Sequence, residues 1–292
     1  MAKATPQAQK EEIKVGTAVA VQQGGALAVG VPDFAADAGR GMEGATSESY
    51  AIPFLNVLQK GSPQVDEASG VAIEGAKAGM LFETVTQKMI DGKVGAIFIP
   101  CAYKRVFIQW GPREGAGQGF KGEHSPETVA QMRADGKIKE LDGKLLLPMT
   151  DGSLHEKKCD RFSDTRNHYG LLLDTTTGIA SPVLLSLTST QIKKSKMLMS
   201  LLAGVKVKGS AGMFTPPTFA NLVKVTSLPE SNDKGTWYGV KFELAGPVAT
   251  ADLYQAAKAF HLSVTEGQVA PVNYEQSGET HSASAADADG KF

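Results

Sequence analysis

Between Ile52 and Val264 the chain is written in short apolar, β-branched runs broken by turn formers. Met80–Thr86 and Val94–Cys101 have strand composition, and Asp91-Gly92 between them is a hairpin turn signal. Tyr103–Trp110 continues in the same style. Tyr169–Asp174 and Val183–Leu187 are two further strands, separated by Thr175–Gly178. Ala220–Ser227 and Trp237–Leu244 flank Pro229–Gly235, a segment crowded with turn residues and expected to be a loop.

Helical patterning is confined to four places. Ile52–Gln59 is short. Ser125-Pro126, with proline at the first helical position, offers the start of a helix over 126–134. Thr188–Leu202, capped by Thr188 or Ser189, sets Ile192, Met199 and Leu202 on one face, and Ala249–Val264 does the same with Leu253, Ala256, Ala257 and Phe260. Strands followed by one helix, two more strands and a terminal helix predict a mainly β protein with a few helices. The order suits a small β-barrel of the OB-fold kind, with a helix between its third and fourth strands. Residues 1–48, rich in Ala, Gly, Gln and Val, are expected to be a flexible arm and 49–266 the folded core. Residues 267–292 are expected to be a disordered acidic tail ending in Phe292.

Composition narrows the function classes. A chain of 292 residues with 42% hydrophobic content can bury one or two cores, and its formal net charge of −1 names no partner. Charge is unevenly spread, however: residues 1–49 hold 4 basic and 6 acidic side chains, and 271–292 hold 1 and 4. The middle therefore carries an excess of cations between two acidic ends. The apolar stretch Thr17–Val31 is interrupted by Gln22, Gln23, Gly24 and Gly25 and falls short of a membrane-spanning helix. The opening MAKATPQAQKEE lacks the apolar region of a signal peptide, and Cys101 and Cys159 have no C-x-x-C spacing. A bacterial cytoplasm with two buried thiols, no membrane and no cofactor is the expectation.

Several motifs fail on context. Gly117, Gly119 and Gly122 satisfy G-x-G-x-x-G, but Gly111–Glu114 separates them from the preceding strand, so a flexible loop is expected rather than a dinucleotide site. His155 and Cys159, with Asp160, Asp164 and His168 nearby, are metal-capable. They lack the second ligand pair that a structural zinc site needs.

Two features point to nucleic acid. No acidic residue occurs between Asp174 and Glu230, while that interval holds Lys193, Lys194, Lys196, Lys206, Lys208 and Lys224. Ammonium groups neutralise phosphates and release counterions, which any nearby carboxylate opposes. Aromatic and basic residues also interleave over Tyr103–Arg113. As a strand, Tyr103, Arg105, Phe107 and Gln109 face one way, and Lys104, Val106, Ile108 and Trp110 the other. Rings beside guanidinium groups suit unpaired bases beside phosphates. Arg161, Phe162, Arg166, His168 and Tyr169 repeat the mixture, as do Trp237 and Tyr238. The expected DNA-binding set is Tyr103, Lys104, Arg105, Phe107, Trp110, Arg113, Arg161, Arg166, Lys193, Lys194, Lys196, Lys206 and Lys208.

The runs Ile52-Pro53-Phe54-Leu55, Gln59, Ser62-Pro63, Gly75-Ala76-Lys77-Ala78-Gly79 and Trp110-Gly111-Pro112-Arg113, with Thr188–Ser195 and Pro229–Gly235, resemble a family of bacteriophage early proteins. That family looks like the phage single-stranded-DNA-binding proteins of replication, recombination and repair. The resemblance, which covers about 50–265, implies an OB-fold core and an acidic C-terminal tail ending in an aromatic residue. By that likeness Asp287, Asp289 and Phe292 are expected to engage a phage or host DNA polymerase or helicase. The long N-terminal arm and the diluted tail acidity depart from the pattern. The function expected is non-catalytic binding of single-stranded DNA, with possible homo-oligomers. A strand-annealing recombination protein is a close variant, a virion structural or decoration protein the main rival, and a metal-dependent nuclease the third.

Overall fold

The computed structural model describes residues 34–45, 49–233 and 235–269. The expected tail residues Asp287, Asp289 and Phe292 lie outside the described residues, as does most of the expected arm. The described chain is mainly β, with three α-helices.

Two long antiparallel strands, β4 (Ala96–Trp110) and β8 (Arg161–Leu173), form the spine. β12 (Asn221–Asn232) and β13 (Gly235–Pro247) extend the sheet on one side, and β6 (Lys139–Leu141) and β7 (Lys144–Leu146) on the other. β5 (Phe120–His124) adds to the far end of β4, and β9 (Ala180–Thr188) to β8. The sheet has eight strands, and among the described residues no pairing joins β13 to β6. It is open. The arrangement is compatible with an OB-like path but is not a closed barrel. A separate three-stranded sheet joins β1 (Leu55–Val57), β2 (Leu81–Glu83) and β3 (Met89–Ile90), and among the described residues β10 (Val207–Gly209) pairs only with β11 (Gly212–Phe214).

One inserted residue organises the spine. Pro100 pairs with Gly170 and Ala102 with Tyr169, so Cys101 is a bulge. Its carbonyl accepts a hydrogen bond from His261 Nδ1 at 2.7 Å, which also assigns the ring proton, since a carbonyl can only accept. Side chains before and after the bulge exchange parity. Ile99 therefore shares one core with Val106, Ile108 and Trp110, while Phe98 shares the opposite face with Phe107. At Gly170 an added Cβ would meet the Phe98 ring and the Ile99 carbonyl.

Each face is covered differently. Helix α3 (Ala251–Thr265), capped by Thr250 Oγ1, lays Ala257, Phe260 and Val264 over Ile99, Trp110, Tyr169 and Leu184. On the other face α2 (Ile192–Gly204) buries Leu198 and Leu202 against Phe98, Leu172, Val223 and Phe242. Helix α1 (Pro126–Ala134) closes a smaller cluster of Phe107, Val129, Ile138 and Phe162. It occupies the expected span, with Ser125 Oγ accepting from the Thr128 amide. Both cysteines are buried free thiols, and burial pushes the Cys101 thiol far above its ordinary range.

Four expectations are corrected. Ile52–Gln59 holds no helix but the short strand β1 at its centre, preceded by a bridge from Phe54 to Leu184: Pro53 holds the preceding residue extended, and Phe54 and Leu55 enter different cores, which strand alternation permits for neighbours. Asp91-Gly92 is a turn, with Asp91 Oδ1 accepting from the Lys93 amide, but it links two sheets rather than a hairpin. Pro229–Gly235 is not a long loop; β12 and β13 stay paired out to Asn232 and Gly235. At the start of α2 the expected cap shifts: neither Thr188, ahead of the first turn, nor Gln191, ahead of the helix, makes a side-chain cap. A 3-10 turn over Ser189–Gln191 delays the helix, so Ser195, Leu198 and Leu202 face inward.

Candidate nucleic-acid interface

Beyond the bulge, the α2-side face of the spine changes from apolar to charged. Arg105 donates to both carboxylate oxygens of Asp164, through Nε at 3.0 Å and Nη2 at 2.8 Å. Arg166 adds a third donation to Asp164 at 3.0 Å and, through Nη1, reaches the Tyr103 hydroxyl at 2.9 Å. The Tyr103 ring lies 5.1 Å from His168, whose Nε2 is 2.8 Å from Ser195 Oγ of α2. Burial, helped by Arg166, lowers the His168 pKa to about 4, so the ring is neutral near pH 7. The Asp164 hydrogen bonds raise the pKa of the Arg105 guanidinium above its ordinary value.

Arg105 and Asp164 of this network lie on the floor of a cleft of about 1390 Å³, and the other members support them from outside its lining. One wall is the Gln59–Gln64 loop with Trp237 and Tyr238 of β13; the other is Arg133, Lys144 and Arg113. The first wall is built by long-range pairing. Gln59 donates to the Tyr238 carbonyl at 2.9 Å and accepts from its amide at 2.8 Å. Gly79, at φ +91°, lies under the Tyr238 ring, where a Cβ would come within 2.6 Å of it. Trp237 Nε1 donates to Glu230 at 2.9 Å, and Lys194 meets the same carboxylate at 2.6 Å.

The lining carries Lys60, Arg105, Arg113, Arg133, Lys144 and Arg161 against two acids, Glu140 and Asp164. Glu156 pairs with Lys144 at 2.6 Å and Arg113 at 3.6 Å, and Glu140 pairs with Arg133 at 2.6 Å. These pairs hold the cations in place. A guanidinium has five donors, so an Arg engaged with one carboxylate keeps donors for a phosphate.

The expected site residues are only partly brought together. Arg105, Arg113 and Arg161 line the cleft, and Tyr103 and Arg166 belong to its supporting network. Two rings are corrected. Trp110 is 2% exposed in the α3-side core, with the Arg161 guanidinium 5.6 Å from its ring, so it offers no face to a base. Phe107, which touches the cleft, is 8% exposed and packed with Val129 and Phe162. Both belong to cores because the alternation that pairs rings with charges is also that of a strand buried on both faces. Lys104 lies on the α3-side face with Nζ 5.6 Å from the Tyr169 ring centre. Lys193, Lys196, Lys206 and Lys208 are exposed on α2 and the segment after it, apart from the charged floor, and Lys206 Nζ donates to Thr215 Oγ1. Sequence reasoning did not place Lys60, Arg133 and Lys144 in the site. Only chain-distant packing assembles them, and no local pattern marks them.

Gly117 and Gly119 sit in the β4–β5 connection, where the Gly111 amide donates to the Gly119 carbonyl at 2.8 Å, and Gly122 lies within β5, so the motif runs into a strand rather than opening a helix. His155 and Cys159 close a turn in which the Cys159 sulfur accepts from the His155 amide. No group of three or more metal-capable side chains occurs among the described residues.

Residues 22–270 match the Pam3 phage gp34-like protein family. The chain belongs to that family. It is thus a phage-family protein, and the match spans the spine, both cleft walls and all three helices. No curated protein and no solved structure matches this family member. No helix among its described residues is long and apolar enough to cross a membrane.

Proposed function

We propose that this phage-family protein binds single-stranded DNA, without catalysis, in phage DNA replication, recombination or repair. One observation carries the reading: a cleft of about 1390 Å³ lined by six cationic side chains and two acidic ones, with the half-buried Trp237 and Tyr238 on one wall. Cations along a groove neutralise phosphates. A ring at the wall gives an unpaired base a surface to stack on, and a duplex keeps its bases out of reach of such a ring.

The test uses the full chain and a fluorescein-labelled oligothymidine, with a duplex of equal length as competitor. Saturable binding is expected, with log Kd rising against log salt by about 0.7 for each phosphate held. Tryptophan emission is expected to fall on binding, through Trp237 and not Trp110. Trp237→Phe removes the quench and Trp110→Phe retains it. Absence of any binding at low salt overturns the reading, as does equal preference for duplex.

A further inference from the structure

We infer that the β10–β11 hairpin at the far end of α2 is a second DNA contact, in which the Phe214 ring stacks on an unpaired base. This rests on the single-stranded-DNA reading above and extends it to residues outside the cleft. Among the described residues the hairpin pairs with no other strand, and its register sets Val207 opposite Phe214, Lys208 opposite Met213 and Gly209 opposite Gly212. An isolated two-stranded ribbon is marginal in water, and the Val207–Phe214 cross-strand pair gives it little support beyond its own two strands. Met213 is 64% exposed and Phe214 49%. Phe214 is backed by Gly209, where an added Cβ would lie 3.1 Å from the ring. One side of the ring is thus held against backbone and the other is open, the geometry of a stacking platform.

Charge selects the occupant. The hairpin and α2 fall inside the acid-free interval 175–229, and Lys193, Lys196, Lys206 and Lys208 are exposed along them. Lys196 and Lys208 make no ion pair among the described residues. A two-fold contact between copies of this surface would set these lysines against their own equivalents, which like-charge repulsion opposes. A polyanion with ring-shaped side groups satisfies both the lysines and Phe214. Continuity supports the same choice. Gln191 and Ile192, at the start of α2, line the cleft, and the 13-residue helix then runs about 20 Å at 1.5 Å per residue toward the hairpin. One strand leaving the cleft along α2 reaches Phe214.

The experiment compares wild type with Met213→Ser/Phe214→Ser, and separately with Lys196→Glu/Lys208→Glu, on a short and a long labelled oligothymidine. All four positions are exposed, so thermal unfolding of each variant should match wild type. Loss of one stacked ring should weaken the long oligonucleotide by about 5- to 150-fold, while the short one, held by the cleft alone, binds as before. The lysine variant should flatten the salt dependence for the long oligonucleotide by about 0.7 per lost phosphate. If wild type binds and quenches while both variants match it on the long oligonucleotide, the hairpin inference is overturned and the cleft reading stands. If wild type binds neither oligonucleotide, both fall. If the ring variant instead turns a sedimenting dimer into a monomer with DNA affinity unchanged, the hairpin is a self-association element and the inference fails.

Discussion

At one end of the β4–β8 ladder, Phe98 and Leu172 are sealed under α2; at the other end of the same face, Arg105 and Asp164 border an open cleft, with Tyr103 and Arg166 hydrogen-bonded behind them. Backbone pairing is continuous apart from the Cys101 bulge. The two ends differ in what lies above them, and the bulge decides which side chains reach each place. Without the extra residue, Arg105 would point toward the α3-side core and Val106 and Ile108 toward the cleft, because a one-residue shift inverts every side chain beyond it. A binding surface and a core can thus share one strand pair, provided a single register step separates them.

The largest expected effect comes from removing that step. Deleting Cys101 would drive the Arg105 guanidinium, away from Asp164, into a core of Ile99, Tyr169 and Phe260. An unpaired buried charge costs several kcal/mol against a total stability of about 5–15 kcal/mol. Loss of cooperative thermal unfolding is expected, whereas Cys101→Ala, which keeps the residue count, should unfold as a single transition. A folded deletion variant with wild-type stability would show that the bulge does not set the register.

His168 marks the boundary between the two ends and provides a second, smaller handle. Its pKa is about 4 in the folded state and near 6.5 when unfolded. Between those values the unfolded chain binds more protons, so stability is full above about pH 6.5 and is lost as pH falls toward 4. At about 1.4 kcal/mol per pH unit this amounts to roughly 3 kcal/mol. Arg166, against the same network, opposes the protonated ring, and the Ser195 hydroxyl is its hydrogen-bonding neighbour. Urea unfolding at about pH 7 and about pH 4 measures the loss, and His168→Gln should remove this part of it. An equal pH dependence in the variant would place the sensitive group elsewhere.

Much of the scaffold was legible in the sequence, because local chemistry writes it. Ser125-Pro126 announced α1, and strict alternation separated Arg105 and Phe107 from Val106 and Trp110 on the correct faces. What alternation lacks is any statement of what covers a face, so Trp110 and Phe107 were expected to meet bases and are instead core. The cleft itself was hidden for a related reason. Gln59 meets Tyr238 across 179 positions, and Lys60, Arg133 and Lys144 converge only through such closures. Arg105 and Asp164 are 59 apart, yet their pairing follows from β4–β8 register once the bulge is known.

The smallest expected change in stability is at that same pair, where the two ends of the ladder can be told apart by function. Asp164 accepts from two guanidinium groups at the cleft floor, and Arg105 is partly open to solvent. The Arg105 pair, at that exposure, contributes within about 1 kcal/mol to folding, and Asn keeps an acceptor oxygen for the less exposed Arg166, so Asp164→Asn should move the unfolding midpoint little. Its effect on binding should be larger. Removing the carboxylate deletes one of the cleft's two anionic side chains and frees charge on Arg105 and Arg166 for phosphate. Affinity for oligothymidine should rise at low salt, and its salt dependence should steepen by about 0.7 for each phosphate newly held. Arg105→Ala should move both quantities the opposite way. If Asp164→Asn leaves both unchanged while Arg105→Ala changes neither, the charged end of the ladder is a structural network like the sealed end, and phosphate is held elsewhere on the protein.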